Sequence, residues 1–352
     1  MGEGMASRRS AAGRMLVIGQ GLAGTTIGFE ASRRNWHVTT VDRGGPCASR
    51  VAAGMFNPMS FKRLIPTWDA QTHLDCMREM IGAMEALLGV KVLHNLPMWK
   101  VLPNAEVARD WIIKAQTNPL MGEVIEAPDG VKAPFGIGVV ESAGWVDLSK
   151  LLDAWRHHLE ASEAGQFIQA DAANFDCTGY DAVVDCRGIG AVDDPSLADL
   201  KVSPYKGEVL TLERRGDEAQ ADTADFEAIL NCGKWLMPLG NGRFKLGASY
   251  DWDDDTLEIS AEVRDVLLHK LETVLPSIRS AFDVVEHRVG LRPVARDRRP
   301  VIGTVGKSSK RFVFNGLGTR GVLIAPRWAA ALLDHIETGT SLPNLVHANR
   351  FV

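Results

Sequence analysis

The sequence predicts an α/β protein: a doubly wound, Rossmann-type nucleotide domain into which a sheet-rich (α+β) second domain is inserted. Three observations predict it. The chain opens with a strand, a glycine turn, a helix and a second strand, a β-α-β unit of about 30 residues. Apolar strands that stop at glycines return near residue 185 and again near residue 315. Between them lies an alternating pattern with Asn241-Gly242 at a hairpin turn. One nucleotide domain interrupted by insertions explains this order better than two sequential domains. The expected division is 1–95, 145–203 and 288–352 for the nucleotide domain, and 96–144 and 204–287 for the insert.

The elements follow in order. Arg14–Ile18 is a short apolar run ending in glycine, the pattern of a buried parallel strand. Leu22–Arg34 places Ala23, Ile27 and Ala31 on one helical stripe. Trp36–Val41 is a strand ending at Asp42, and Gly44–Arg63 is loop-like. Gln71–Leu88 is predicted helical, and 96–140 reads as strands of a different character, punctuated by Pro and Gly. Asp147–Glu160 is a helix and Asp181–Cys186 a strand. Residues 209–212, 234–238 and 243–248 alternate as strands, Leu257–Leu275 is a helix, and Pro300–Gly303 and Arg311–Phe314 are strands. An apolar helix, Leu323–Ile336, follows a glycine-rich loop.

Composition narrows the function. With 45% apolar and 24% charged residues the chain is neither disordered nor fibrous. The net charge of -5 argues against a nucleic-acid or anionic-membrane partner. No apolar run approaches the roughly 18–20 residues of a membrane span. Five cysteines, an odd number without C-x-x-C spacing, suggest neither a disulfide framework nor a zinc site. No metal is expected. Free thiols suit a reducing compartment, so the cytoplasm is the expected location. Residues 1–13 carry Arg8-Arg9, but the apolar stretch after them, Met15–Ile18, is too short for an export signal, and they read as a frayed leader. The oligomeric state is left open.

Gly19-Gln20-Gly21-Leu22-Ala23-Gly24 is a G-x-G-x-x-G turn between strand and helix. Gly19 permits the turn, Gly21 lets a diphosphate approach the backbone, and Gly24 lets the helix lie close to the sheet. The N–H groups at the start of the helix, at Leu22 and Ala23, face the phosphates. Asp42, next to Arg43, ends the second strand about 20 residues on, where a ribose-binding acid is expected and where it disfavours NADP. The turn alone does not decide between NAD and FAD.

Four further segments break that tie: Val51-Ala52-Ala53-Gly54-Met55-Phe56-Asn57-Pro58; Leu236-Met237-Pro238 with Gly240, Gly242 and Gly247-Ala248; Gly290-Leu291-Arg292-Pro293, leading to Pro300–Gly303; and Asn315-Gly316-Leu317-Gly318-Thr319-Arg320-Gly321, before Ala325-Pro326. With the first turn, and in this order over nearly the whole chain, they resemble the FAD-dependent D-amino-acid oxidase superfamily. That superfamily includes glycine oxidase, sarcosine oxidase and the oxidase half of the bifunctional enzyme that trims wobble-uridine side chains on tRNA. The AAGM-x-x-P stretch is most similar to glycine oxidase and the LGTRG stretch to the tRNA-modifying oxidase, while NPMSFKR departs from both.

The resemblance implies non-covalent FAD held by Gly19, Gly21, Leu22, Ala23, Gly24, Asp42, Arg43, Ala52, Ala53, Gly54, Met55, Gly188, Arg292, Gly316, Gly318, Thr319, Arg320, Gly321 and Val322. The loop of Gly316, Gly318 and Gly321 lets backbone approach a planar ring, and the helix after it aims a positive dipole end at the ring's pyrimidine edge. Its bland alternative is a plain glycine turn. Cys186-Arg187-Gly188 resembles a second glycine turn near the diphosphate, although small or neutral residues are expected at Cys186 and Arg187. Arg292 matches the carboxylate anchor, because a planar guanidinium fits a carboxylate in a bidentate way. A structural ion pair is its alternative. Arg320 is a second candidate and Tyr250 a third, each as readily a packing residue. Trp235 and Met55 are candidate pocket walls, and Lys206 resembles a basic position leading into the substrate sheet. The cluster Arg292, Arg296, Arg298 and Arg299 fits either an RNA backbone or a surface paired with the acidic stretch Asp251–Asp255.

The resulting expectation is oxidation of the C–N bond of a small amino acid or N-substituted glycine by hydride transfer to FAD. Two alternatives stand beside it: trimming of a carboxymethylaminomethyl group on a tRNA wobble uridine, and a non-catalytic flavin-binding protein.

Overall fold

The computed structural model describes residues 12–163, 165–192, 194–216, 227–306 and 308–351. The predicted leader falls largely outside them. A six-stranded sheet runs in the spatial order Gly165–Gln169, Trp36–Asp42, Gly13–Ile18, Ala182–Asp185, Arg311–Asn315, Val301–Thr304. The first five strands are parallel and the last is antiparallel. The helices Leu22–Arg33, Ala70–Leu88, Leu148–Ala161 and Gly321–Thr338 share one apolar core with this sheet. Tyr180 and Phe175 cover Leu16, Ile18, Val41 and Val183 on its other side. The chain leaves the first strand toward one neighbour and later returns on the other side of it. The Gly19 turn therefore sits at a topological switch point, where crevices form in open α/β sheets.

The second large sheet has eight strands, ordered Phe282–Ala295, Val202–Arg214, Arg243–Gly247, Trp235–Gly240, Ile229–Asn231, Met98–Val101, Ile137–Val140, Val124–Ile125. It packs the helix Ala261–Glu272 on its own apolar core. The predicted hairpin is present, and Asn241 and Gly242 both have positive φ, at 53° and 69°, as a tight two-residue turn requires.

Three expectations are corrected. The segment 96–140 is not all strand: Ala105–Ala115 is a helix, started by the Asn104 side chain accepting from the Val107 N–H at 2.9 Å. Only Trp111 of that helix is buried, too little to print a stripe on the sequence. The helix predicted from Leu257 begins at Ala261, because Ser260 caps it. The long strand Phe282–Ala295 was absent from the sequence reading, since its Glu286, His287 and Arg288 mimic a polar loop.

One buried polar contact in the first core has a pH consequence. His73 is fully buried, accepts from the Trp328 indole N–H at 3.0 Å through Nε2, and donates from Nδ1 to the Trp68 carbonyl at 3.0 Å. A proton on Nε2 would face the indole N–H, and burial lowers the pKa of His73. A group depressed in the folded state stabilises fully above its unfolded pKa, near 6.5, and loses that contribution as pH falls through the lower folded value. Thermal midpoints should therefore drop below about pH 6.5, and His73→Gln, which accepts without titrating, should show a shallower drop. Equal slopes in the two proteins would refute this.

Candidate active site

One cavity of about 420 Å³ opens between the two sheets, within the roughly 300–1,000 Å³ of ligand pockets. Its wall is drawn from segments far apart in sequence. Gly19, Gly21, Leu22 and Ala23 of the first turn line it, with Asp42 and Arg43 after the second strand. So do Ala52, Ala53, Gly54 and Met55, then Gly188, and then Gly318, Thr319, Gly321 and Val322. From the second sheet come Val209, Trp235, Ala248, Tyr250 and Arg292. The expected site residues Gly24, Gly316 and Arg320 are not part of this wall. Gly24 lies behind it, where a β-carbon would overlap the Gly19 carbonyl oxygen. Arg320 is half-buried and donates to the Asn57 carbonyl at 3.2 Å.

The geometry fits an anionic dinucleotide bearing a flat ring. The helices Leu22–Arg33 and Gly321–Thr338 both begin at the wall, and neither N-cap residue supplies a side-chain cap. Their positive dipole ends and the first-turn N–H groups, other than that of Leu22, which Ser49 takes, suit a diphosphate at one end and an electron-rich ring edge at the other. Asp42 is fixed by the Gln20 and Gly44 N–H groups, each at 2.7 Å. The Asn315 side-chain amide donates to the Gly188 carbonyl at 2.9 Å and its oxygen accepts from the Gly316 N–H at 2.8 Å, tying two glycine turns together.

The chain belongs to the DAO family of FAD-dependent oxidoreductases. The family model matches residues 14–334. The tRNA 5-methylaminomethyl-2-thiouridine biosynthesis bifunctional protein of Azoarcus sp. (strain BH72) is 25% identical over 94% of the chain. An uncharacterized oxidoreductase of Bacillus subtilis (strain 168) is 23% identical over 90% of the chain and 93% of its own length. The chain spans 58% of the Azoarcus relative. Among solved structures, glycine oxidase from Geobacillus kaustophilus aligns with a TM-score of 0.76 at 21% identity, over 94% of this chain and 96% of its own. Iminodiacetate oxidase from Chelativorans sp. BNC1 aligns at 0.76 and 18%, over 94% and 97%. These likenesses confirm the fold class that the sequence predicts. No helix among the described residues is long and apolar enough to cross a membrane.

The second-sheet wall of this FAD-dependent oxidoreductase is electrostatically unusual. Arg292 lies 5.1 Å from the centroid of the Tyr250 ring and 5.8 Å from that of Tyr205. Its one hydrogen bond among the described residues goes to the Lys206 carbonyl, at 3.2 Å. The guanidinium fills the hollow left by Gly207, where a β-carbon would overlap it. Lys234 puts its ammonium 5.3 Å from the Tyr250 centroid and donates to the Ala248 carbonyl at 2.7 Å. Burial lowers the pKa of Arg292, Arg320 and Lys234, the last further through the Arg292 charge.

The expected pairing of the arginine cluster with Asp251–Asp255 is not what forms. Lys206, almost fully buried, takes Asp254 at 2.5 Å and Thr256 at 3.2 Å, holding the Asp254 carboxyl down to about 2. Arg298 instead lies over Trp252 and Arg299 over Trp68, so the cluster diverges. The segment that Lys206 pins carries Tyr250 and Leu257 to the cavity. Sequence reasoning missed Lys234, Ser49 and Asn315 as site residues. Ser49 accepts from the Leu22 N–H at 3.0 Å. Its only signal was a position between the first unit and the Ala52-Ala53-Gly54 loop.

Proposed function

We propose that this chain oxidises the C–N bond of a small amino acid or N-substituted glycine, using dissociable FAD. The observation that carries the reading is Arg292: a guanidinium on the cavity wall with no carboxylate partner among the described residues. An unpaired buried charge is costly, and a bound substrate carboxylate would remove that cost. FAD, when bound, supplies the two-electron acceptor. The chain does the rest. Arg292 grips the carboxylate in a bidentate way and Tyr250 borders the amine, which fixes the carbon beside nitrogen toward the glycine-loop wall. Trp235, Met55 and Ala248 exclude water there. The substrate loses a hydride from carbon and a proton from nitrogen, and water then splits the resulting imine into an oxo acid and an amine.

Anaerobic addition of glycine, sarcosine, proline and D-amino acids should bleach the yellow protein with at least one of them, and a panel that never bleaches it overturns the reading. A second prediction tests the Arg292 seat. Gly207→Ala should retain FAD, since the flexible guanidinium can swing aside. It should lower kcat/KM by about a hundredfold, the scale of a 1 Å misplacement. Unchanged kinetics would show that Arg292 is not the anchor.

A second reading concerns the same chemistry on a tRNA wobble uridine, whose carboxymethylaminomethyl group is itself an N-substituted glycine. The bifunctional tRNA-modifying relatives favour it. So does the exposed Trp252, which lies two residues from the cavity-lining Tyr250 and stacks on Tyr205 with centroids 3.8 Å apart, a surface on which a base can stack. Mass spectrometry of tRNA nucleosides from a deletion strain should then show accumulated carboxymethylaminomethyl-uridine, and an unchanged profile excludes it.

A further inference from the structure

We infer that Lys206 is a positioning residue for the substrate carboxylate: with one backbone carbonyl and one ammonium it fixes a strap, residues 249–260, against Arg292. This role rests on the amine-oxidising reading above and names what holds that site in shape.

Three consecutive residues of one strand do the work. Lys206, Gly207 and Glu208 lie in Val202–Arg214 of the eight-stranded sheet. Gly207 leaves the hollow that the Arg292 guanidinium fills, and the residues on either side of it hold the strap. The Lys206 carbonyl accepts from Arg292 at 3.2 Å and from the Asp251 N–H at 3.1 Å, so anchor and strap share one acceptor. The Lys206 N–H donates back to the Asp251 carbonyl at 2.9 Å. The ammonium of the same residue reaches Asp254 at 2.5 Å and Thr256 at 3.2 Å. Glu208 pins the two ends. Its N–H donates to the Ser249 hydroxyl at 2.8 Å, its carbonyl accepts from the Ser249 N–H at 3.1 Å, and its carboxylate accepts from the Ser260 N–H at 3.0 Å. Between these pins the strap carries Tyr250 and Leu257 to the cavity wall and lays Trp252 on the Tyr205 ring.

The middle of the strap has little else to fix it. No helix or strand covers residues 252–259. Asp251 accepts from the Asp253 and Asp254 N–H groups, and Asp254 from that of Thr256, which are turns within the strap. Lys206–Asp254 is its one ion pair among the described residues. Burying an ammonium beside a partly exposed carboxylate adds little to stability. What the pair contributes is placement: it keeps the Tyr250 ring centroid 5.1 Å from the guanidinium. A strap released from Lys206 has to be ordered each time a carboxylate binds. That ordering costs affinity. It raises KM and leaves kcat as before, because the strap is back in place once the complex has formed.

The test uses the FAD-loaded protein with acetate as the carboxylate probe, its dissociation constant read from the flavin absorption spectrum. Lys206→Met should weaken acetate at least about tenfold, equivalent to about 1.4 kcal/mol, and should raise KM for the best amine in proportion. The rate of flavin reduction at saturating amine should stay within about threefold of the parent. Asp254→Ala should weaken acetate as well, and the double variant should be no weaker than Lys206→Met, because both changes remove the same pin. An effect of charge through space predicts otherwise: losing the cation weakens an anion, whereas losing the acid tightens it. Tighter acetate binding in Asp254→Ala, or unchanged affinity in Lys206→Met, overturns the positioning role. So does a Lys206→Met variant whose loss lies wholly in the saturated rate. The two readings fail separately. Acetate weakened in both variants, with no amine bleaching the flavin, would sink the oxidase reading alone. Bleaching by an amine, with acetate affinity unmoved in Lys206→Met, would sink the positioning role alone.

Discussion

Arg292→Ala is expected to lower kcat/KM for the best carboxylate-bearing amine by roughly 30- to 4,000-fold, corresponding to the 2–5 kcal/mol lost when one partner of a buried, hydrogen-bonded charge pair is truncated. FAD content should be unchanged, because Arg292 stands on the second sheet and its one hydrogen bond among the described residues goes to the Lys206 carbonyl, not to a glycine turn. Stability should move the other way. In the free protein Arg292 has no acidic partner among the described residues, and burial already disfavours its charged form. Removing it leaves the Lys206 carbonyl still accepting from the Asp251 N–H at 3.1 Å and relieves the desolvation of a cation. The thermal midpoint of the variant should therefore equal or exceed that of the parent. Arg292→Lys should recover only part of the activity, since an ammonium is a point charge that cannot form the two parallel bonds. Steady-state kinetics with a thermal melt check both halves. A variant that is both active and less stable would mean that the arginine is a structural group.

The second large effect concerns the cofactor turn. Gly24→Val should give a purified protein without colour and with FAD affinity reduced at least about a hundredfold, near 3 kcal/mol. Its β-carbon would overlap the Gly19 carbonyl oxygen. That atom is backbone, on a residue held at a φ of 101° and bonded through its N–H to the Val41 carbonyl at 2.8 Å. The helix must therefore back away from the strand, taking its N–H groups out of line with the cavity. Gly28→Ala on the same helix is the control. Its β-carbon meets nothing nearer than 3.4 Å, at Trp155, so FAD should stay bound. If Gly24→Val is yellow, or both variants are colourless, the close packing at Gly24 is not what shapes the turn.

Much of the architecture was legible because it is written locally. The first β-α-β unit needs only a strand, a glycine turn and an acid at the next strand end, and every one of these is contiguous in sequence. The hairpin at Asn241-Gly242 is set by two residues that tolerate positive φ. The helix Ala105–Ala115 and the strand Phe282–Ala295 escaped notice because burial prints weakly on them. One carries a single buried side chain, and the other alternates charges on an exposed face.

The amino-acid sequence by itself determined the fold class, the dinucleotide turn and the cavity residues that lie in glycine-bearing segments, since backbone geometry at those positions depends on residue type alone. The charge balance of the site was decided only by tertiary structure. Whether Lys206 or Arg292 takes Asp254, and whether Lys234 comes to Tyr250, depends on strand register. Tyr205 sits opposite Arg292, Gly207 opposite Gly290, and Trp235 opposite Gly247. Those partners are separated by up to about ninety positions along the chain, and pairing between distant strands is chosen by packing of the whole sheet rather than by any motif.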